Sequence, residues 1–370
     1  MKSSASSNFI ALGTVDITDR TLQLVTAAVK EGRIGQGPLI PQFEEELAAW
    51  FGVRQAVLVA NGTIADAVAL AAVQGGDRQG EVILPALTFV AQANAVYYNH
   101  LTPRFVDVTN DYQIDLEQVE ANISRRTVAI MPTHLMGRPA NMDGILELAD
   151  KHGLPVVEDA CEALGSRYKS RLVGTLGSMG CFSFFVSHAI TTGEGGVIIT
   201  DDPELAEVAR SLRNHGRLSE KPGEKFLFPR IGFSGKMNQL EAAVGLGMMP
   251  VLDGIIAKRR ENMLFLNRLL GDRFSERPDE YIVPHGYPVE FSDRQARDRA
   301  LKYLHEKGIE CRQLFSSIPT QVPAYAFLDH RLGEFPVAER IGDCGLYVPC
   351  HQNLDEADLR RIAQTLGELL

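Results

Sequence analysis

The chain has 370 residues, of which 45% are hydrophobic and 23% charged, and its formal net charge is -10 at pH 7. This composition is that of an ordinary globular protein, and the length predicts two domains. The acidic balance argues against a nucleic-acid-binding protein, which needs a basic surface. It leaves room for a phosphorylated substrate, because a few local cations and helix N-termini can hold a phosphate.

Five scattered cysteines, an odd number, predict a reduced, cytoplasmic protein without disulfides. Cys161 and Cys181 lack two further ligands at zinc or iron–sulfur spacing, so no metal site is predicted. The N-terminal residues have no apolar core of the kind found in signal peptides, and no run approaches the length of a membrane span. We therefore expect no membrane partner.

Hydrophobic periodicity divides the chain into a larger and a smaller region. From about residue 54 to about residue 200, short β-branched runs alternate with helical segments, which predicts an α/β fold with a mainly parallel sheet. We assign residues 1–254 to a large domain. Residues 255–370, which mix strands with amphipathic helices, form a predicted small α+β domain. The charged segment 258–270 is predicted to be a long exposed helix that links the two.

Polar residues follow several strands of the large domain. Asn61-Gly62-Thr63 stands at a strand-to-helix turn, where free N–H groups and the helix dipole can bind an anion, although a simple helix cap is the commoner reason for such a turn. Asp159 closes an apolar strand at the carboxyl end, where open α/β sheets bind ligands, and a solvated turn is the alternative. His134 also ends a strand and is interpreted as a hydrogen-bonded structural residue.

The stretch 181–200, CFSFFVSHAITTGEGGVIIT, is the centre of the expected site. Two β-rich runs flank a glycine-rich turn, and glycine lets backbone N–H groups approach a ligand closely. His188 is the imidazole of that turn and can transfer protons near neutral pH.

In their order along the chain, these motifs resemble the DegT/DnrJ/EryC1/StrS sugar aminotransferases, which are pyridoxal phosphate (PLP) enzymes of fold type I. The resemblance implies an aspartate aminotransferase-like fold and a homodimer with shared active sites. The segments that carry it are Gly35-Gln36-Gly37-Pro38, Asn61-Gly62-Thr63, Thr88-Phe89-Val90-Ala91, Pro132-Thr133-His134-Leu135-Met136-Gly137, Glu158-Asp159-Ala160-Cys161-Glu162-Ala163-Leu164-Gly165, Phe182-Ser183-Phe184, Thr191-Thr192-Gly193-Glu194-Gly195-Gly196, Arg213-Asn214-His215-Gly216 and Phe335-Pro336-Val337-Ala338-Glu339-Arg340.

The resemblance also implies roles for individual residues. Asp159 would face the pyridine nitrogen of the cofactor and keep it protonated. Phe89 would stack on the cofactor ring, and Glu162 would lie beside it. The phosphate would be held at the helix N-terminus by Gly62, Thr63 and Ser183. Ser234 replaces the family asparagine that reaches the phosphate of the other subunit, and the residues expected to contact substrate are Lys236, His215 and Tyr325.

The departure that decides the chemistry is at residue 188. The aminotransferases have a lysine five residues after the serine of the Phe-Ser-Phe motif, and that lysine binds PLP covalently. His188 occupies this position. A histidine here resembles the branch of 3-dehydratases that act on 4-keto-6-deoxy nucleotide sugars, above all on GDP-4-keto-6-deoxymannose. In that branch pyridoxamine phosphate (PMP) is the working cofactor and glutamate can supply its amine. Ala189 and Thr192, in contrast, resemble the aminotransferases.

We therefore predict a PLP/PMP-dependent dehydratase that removes the C3 hydroxyl of a nucleotide-linked keto sugar, with His188 as the base. One alternative is a PMP-using, aminotransferase-like enzyme for another keto sugar, which would yield an amine instead of losing water. Another is a cofactor-binding homologue with altered or lost catalysis. An engineered His188 that traps an intermediate is also compatible with the sequence.

Overall fold

The computed structural model describes residues 9–75, 79–219 and 221–370. The N-terminal eight residues, which bear on the signal-peptide prediction, lie outside this part. The helices are α1 Asp19–Lys30, α2 Leu39–Phe51, α3 Gly62–Val73, α4 Val90–Tyr98, α5 Leu116–Asn122, α6 Met142–His152, α7 Pro203–Leu212, α8 Gln239–Met248, α9 Leu252–Leu270, α10 Arg294–Glu306, α11 Ile318–Gln321, α12 Pro336–Cys344 and α13 Glu356–Gly367. The strands are β1 Gln55–Val59, β2 Glu81–Pro85, β3 Thr102–Val106, β4 Thr127–Ile130, β5 Val157–Asp159, β6 Arg167–Tyr168, β7 Arg171–Leu172, β8 Met179–Ser183, β9 Gly196–Thr200, β10 Glu280–Tyr281, β11 Tyr287–Glu290, β12 Arg312–Gln313 and β13 Gly345–Val348.

The large region is built on one mixed sheet. Strands pair in the orders β1-β9-β8-β5 and β3-β2-β4, and a parallel bridge between Ile130 and Val156 joins the two groups. All pairs are parallel except those of β9, which runs antiparallel to both β1 and β8. The predicted α/β fold with a mainly parallel sheet is therefore confirmed, with β9 as its antiparallel strand.

Helices cover both faces of this sheet, as its apolar strands require. Along β1, Val57 and Val59 point into one apolar cluster, whereas Ala56 and Leu58 point into another. Helix α3 packs on β8 and β9 and also contacts α4 and α7, while α2 and α8 lie together near β1. The burial of α3 is decisive for the site, because it fixes the N-terminus of that helix beside the ends of the central strands.

The C-terminal region forms a small α+β unit. Strands β11, β13 and β12 make an antiparallel sheet, and α10 and α12 pack against β13. The predicted boundary after residue 254 falls inside α9, so one continuous helix joins the two regions. Strand β10 also pairs with β6 of the large region.

The prediction that segment 258–270 is an exposed helix is wrong. Helix α9 buries Arg259, Asn262 and Leu266 along one side. The run of three cations misled the periodicity argument, because such a run is usually a solvated face. Here Arg259 and Asn262 can be buried because their side chains donate hydrogen bonds to backbone carbonyls. The Asn262 amide, for example, donates to His351 O at 2.8 Å.

The expectation that no run approaches a membrane span also needs correction. The helical stretch Gln239–Leu270 has 32 residues and is long and apolar enough to cross a membrane by length and composition alone. Half of its apolar window is buried inside the fold. A buried core helix of a soluble protein passes the same test, so the stretch is weak evidence for a membrane span.

Candidate active site

A cavity of about 340 Å³ opens where the central strands end. Pairing of Asp159 with Cys181 and of Ser183 with Gly196 brings the carboxyl ends of β5 and β8 to the same edge of the sheet. Helix α3 starts beside them. Seven residues predicted from separate motifs line this one cavity, namely Gly62, Thr63, Phe89, Asp159, Glu162, Ser183 and His188.

One end of the cavity is suited to a phosphate group. The Asn61 side chain caps α3 by accepting the Ile64 N–H at 2.9 Å. The N–H groups of Gly62 and Thr63 have no acceptor within the described ranges and lie at the positive end of the helix dipole. A Cβ on Gly62 would lie 2.8 Å from Ser183 Cβ and 2.9 Å from Cys161 Sγ. The chain therefore approaches this point as closely as only glycine permits.

Replacement of Gly62 by alanine should damage this end of the cavity. The added methyl group forces Ser183 and the helix start apart, which costs about 1–3 kcal/mol of stability, and we expect the affinity for PLP to fall at least about tenfold. Fluorescence or absorption titration with PLP measures the loss. Gly254→Ala is the matched control, because a Cβ there meets nothing within 4 Å. Equal PLP affinity in both variants would contradict a phosphate site at Gly62.

Asp159 ends β5 at the floor of the cavity. It is 6% exposed, and its Oδ1 accepts the Cys161 N–H at 3.1 Å. Burial raises the pKa of Asp159, and the Cys161 hydrogen bonds oppose that rise. A carboxylate in this place can hold a positive ring nitrogen, which would replace the solvation that burial removes.

The neighbouring Glu158 has a structural role. Its carboxylate accepts N–H groups of Gly174, Leu176 and Gly177 at 2.6–2.7 Å, and His134 Nε2 lies 2.9 Å away. His134 Nδ1 accepts the Ala140 N–H, so the proton lies on Nε2 and points to Glu158. The interpretation of His134 as a structural residue agrees with these contacts.

Phe89 forms one side of the cavity. Its side chain is 53% exposed, and its ring centroid lies 5.4 Å from that of Phe315. An aromatic face left open in a cavity can stack on a planar ligand. Phe315 precedes α11 in the C-terminal region, so both regions of the chain contribute to the wall.

His188 lies in the turn after β8, half-buried in the cavity wall. The backbone N–H of His188 donates to Phe185 O at 3.0 Å. The Nδ1 atom is buried and has no partner in the part of the chain that the structure describes. Burial, and then the charge of Arg259, lower the pKa of His188 to about 3. The imidazole is therefore neutral near pH 7 and able to accept a proton.

His285 stands beside His188 and was missed by the sequence argument. The two ring centroids are 4.8 Å apart, and His285 Nε2 lies 3.8 Å from Glu162 Oε1. Glu162 Oε2 accepts the Met136 N–H at 2.8 Å. Burial raises the pKa of Glu162 to about 8. His188, His285 and Glu162 are thus three titratable side chains that lie close together in the cavity wall, without a direct hydrogen bond between them.

The raised pKa of Glu162 predicts a pH-dependent stability. A glutamate in an unfolded chain titrates near about 4.3, so the fold loses stability as the pH rises from that value to about 8, where Glu162 ionises. In Glu162→Gln this loss is removed. Relative to the parent, the free energy of unfolding of the variant should rise across that range and then level off. Urea unfolding of cofactor-free protein at several pH values measures it, and a pH-independent difference would contradict the assignment.

Arg259 holds the turn that carries His188. The guanidinium is 1% exposed and donates to Ser187 O, His188 O, Pro284 O and His285 O at 3.1–3.4 Å, and to the side-chain oxygen of Gln352 at 3.0 Å. Both imidazoles are therefore positioned through their own backbone carbonyls by one side chain.

Comparison with known proteins assigns the family. The profile of the DegT/DnrJ/EryC1/StrS aminotransferase family matches residues 15–367. The chain belongs to this family. It is similar to the GDP-perosamine synthase of Caulobacter vibrioides, with 37% identity over 345 residues that cover 90% of this chain and 91% of the relative. It is also 30% identical to a dTDP-4-dehydro-2,6-dideoxy-D-glucose 3-dehydratase of Saccharopolyspora spinosa, over 97% of this chain and 86% of that protein.

A solved structure supports the same assignment. DesV of S. venezuelae has a TM-score of 0.87 and 32% identity, and the match covers 94% of this chain and 93% of that one. The predicted cofactor, PLP or PMP, is confirmed at the level of the family. The cavity fits it, because the close approach at Gly62, the buried carboxylate of Asp159 and the open ring of Phe89 meet in one place.

Four further residues predicted from the family resemblance lie outside this cavity. Ser234 and His215 are exposed near the bridge between Asn214 and Ser234. Lys236 donates to Asn214 Oδ1 at 2.7 Å and lines a second cavity with several arginines. Tyr325 is buried, and its hydroxyl donates to Asn94 Oδ1 at 2.7 Å. These four residues do not line the His188 cavity within one chain, and their roles at a site shared between two subunits stay predictions.

Lys169 and Lys225 lie outside the His188 cavity. None of the described residues that line the His188 cavity is a lysine. Lys169 pairs with Asp143 at the surface, and Lys225 lines the second cavity with Lys236. The basic side chains among the described lining residues are the imidazoles of His188 and His285 and the guanidinium of Arg312.

Proposed function

We propose that this chain is a PLP/PMP-dependent dehydratase that removes the C3 hydroxyl of a 4-keto, 6-deoxy nucleotide-linked sugar. The observation that carries the proposal is the neutral imidazole of His188 in a cavity otherwise built for PLP, without a lysine among its described lining residues. The names of the relatives from C. vibrioides and S. spinosa contain GDP and dTDP, which supports a nucleotide-linked substrate. The second name also supports dehydration.

Each end of the cavity has a separate part in the chemistry. When bound, PMP supplies an amine that condenses with a sugar ketone and a ring that takes up the electrons of a broken C–H bond. The N–H groups of Gly62 and Thr63 hold the phosphate, while Asp159 keeps the ring nitrogen protonated. Phe89 covers one ring face and excludes water from it.

His188 moves the proton that starts the elimination. With the cofactor bound, the neutral imidazole of His188 would be the base that accepts a proton beside the ring, and the ring would supply the electron delocalisation that lets the C3 hydroxyl of the sugar leave. Glu162 keeps its own proton up to about pH 8 and is positioned to give it to the departing oxygen. His285 packs beside His188, and its Nε2 lies 3.8 Å from Glu162 Oε1, too far for a direct hydrogen bond.

The proposal includes the expected partners. Glutamate supplies the amine that converts PLP to PMP. A homodimer is proposed from the family resemblance, and exposed apolar side chains near the second cavity support a covered surface there: Leu227, Phe228, Phe226 and Ile231. In such a dimer, Ser234, Lys236 and His215 would act at the site of the other copy. All five cysteines are free, which agrees with a reduced, cytoplasmic protein.

The test begins with spectroscopy and ends with product analysis. Absorption spectra with PLP, before and after glutamate, should show reversible binding followed by conversion to PMP. The PMP-loaded protein is then incubated with a panel of 4-keto GDP and dTDP sugars, and products are analysed by mass spectrometry. Loss of one oxygen atom from the released sugar, together with release of ammonia and conversion of PMP to PLP, supports removal of the C3 hydroxyl. A protein that binds PMP but leaves every sugar unchanged would overturn the proposal.

Amine transfer is the second candidate. The relative at 37% identity is a GDP-perosamine synthase, and Thr192 stands where the dehydratase branch usually has methionine. In the same assay this activity gives a product in which an amino group replaces the keto oxygen. The two masses separate the candidates directly.

A further inference from the structure

Asp66 is a buried carboxyl group that the proposed chemistry does not use. It lies on α3, one turn after Gly62, and lines the same cavity. Its side chain is 1% exposed, and neither carboxylate oxygen has a hydrogen-bond partner among the described residues. An ionised carboxylate without partners is costly to bury, so this position favours the neutral acid.

The groups that face Asp66 are almost all acidic. Asp159 faces it from β5, Cys161 from the loop after β5 and Cys181 from β8. One oxygen of Asp66, one of Asp159 and Cys161 Sγ lie within 4.8 Å of one another. Burial, followed by the charge of Asp159, raises the pKa of Asp66 well above its usual value, and the Cys181 thiol opposes this only in part.

The two carboxyl groups are not equivalent. Asp159 accepts the Cys161 N–H, and this hydrogen bond favours its ionised form. Asp66 has no comparable backbone donor. When two carboxyl groups are buried this close together, one proton is retained by the pair. The contacts place that proton on Asp66 and the negative charge on Asp159.

We propose that Asp66 is a positioning residue that stays protonated and forms an acid–carboxylate pair with Asp159. The inference rests on the proposed orientation of the cofactor, in which Asp159 faces the pyridine nitrogen. The Asp66–Asp159 pair then carries one negative charge, which faces the single proton on the ring nitrogen. The oxygens of Asp66 and Asp159 lie at most 4.8 Å apart, a gap that allows direct contact or a single bridging water. Through either contact, the Asp66 hydroxyl withdraws charge from the Asp159 carboxylate. Asp66 thereby weakens the hold of Asp159 on the ring proton.

A metal ion is the competing explanation for three close ligand atoms. It would need the thiolate of Cys161, but burial and the two carboxyl groups raise the pKa of that thiol well above its usual value. The retained proton on Asp66 balances the cluster without a cation.

The pair is tested in loaded protein with PMP carrying ¹⁵N in its ring. The ¹⁵N chemical shift of the ring nitrogen is followed against pH in the parent, Asp66→Leu and Asp66→Asn. Leucine removes the donor, so the ring nitrogen should hold its proton about tenfold more tightly. Asparagine keeps an N–H donor and should titrate like the parent. If leucine weakens proton binding, Asp66 is ionised in the parent and the proposal is overturned; equal shifts in both variants, or none, overturn it too.

A second measurement needs no cofactor. Infrared difference spectra between the cofactor-free parent and Asp66→Asn at neutral pH should show the carbonyl stretch of a protonated carboxyl group. Absence of that band overturns the pair whatever the enzyme does. If the band is present but neither PLP nor PMP binds, the proposed function fails while the protonated Asp66 stands.

Discussion

His188→Ala should lower the rate of product formation by about 10²–10⁴-fold, the usual contribution of a positioned acid or base. The imidazole is neutral and is held in the cavity wall by its turn. Alanine removes the proton acceptor but keeps the main-chain carbonyl that Arg259 holds, so folding and PMP binding should be almost unchanged. Single-turnover assays with PMP-loaded protein measure the chemical step.

The control and the reciprocal change make this result specific. His152→Ala removes an exposed imidazole at the end of α6 that does not line the cavity, and should leave the rate unaltered. His188→Lys restores an amine that can bind PLP covalently, so we expect the absorption of a lysine-bound cofactor, loss of dehydration and gain of amine transfer. Full activity in His188→Ala would overturn the role of His188.

Arg259→Met should destabilise the protein by about 3–5 kcal/mol, because the buried acceptors of its guanidinium lose their donors. Burial of a cation without a carboxylate partner is unfavourable, and it lowers the pKa of Arg259 to about 10. Methionine removes this buried charge, which by itself is favourable. The loss of hydrogen-bond donors outweighs that gain, because four backbone carbonyls would be left unpaired at about 1–3 kcal/mol each before relaxation.

Activity should fall together with stability in this variant. Both imidazoles lose the contacts that hold their backbones, so turnover at low temperature, where the variant is still folded, should fall at least about tenfold. Arg259→Lys keeps the charge but not the forked donors, and an intermediate effect is expected. Arg268→Met, on the exposed side of the same helix, is the control and should change stability by less than about 0.5 kcal/mol. Equal urea midpoints for Arg259→Met and Arg268→Met would contradict the argument.

Much of the site was predictable because its motifs are local. The strand-to-helix turn at Gly62 and the strand end at Asp159 are visible from short runs, and parallel strands then bring such ends to one edge. Phe89 and Glu162 were predicted only from the family resemblance, because the residues next to them in the sequence do not indicate a binding site. All four line the cavity that the structure shows.

The residues that sequence reasoning missed depend on contacts distant along the chain. Asp66 sits among alanines and valines of a core helix, and only packing against β5 reveals a second acid beside Asp159. His285 is nearly a hundred positions from His188 along the sequence. Arg259 stands in a cationic run that favours a solvated face, and its acceptors come from three separate segments. The hydrogen bond of Tyr325 to Asn94 is likewise a tertiary contact that local sequence does not show.

The hydrogen bonds of Arg259 to the His188 turn bear on which side chains residue 188 can carry. Arg259 contacts residues 187 and 188 through main-chain oxygens, not through their side chains. The scaffold therefore holds this position in the same way whichever amino acid stands there. A change of the side chain at residue 188 can therefore alter proton transfer in the cavity while the main-chain support of the turn is kept.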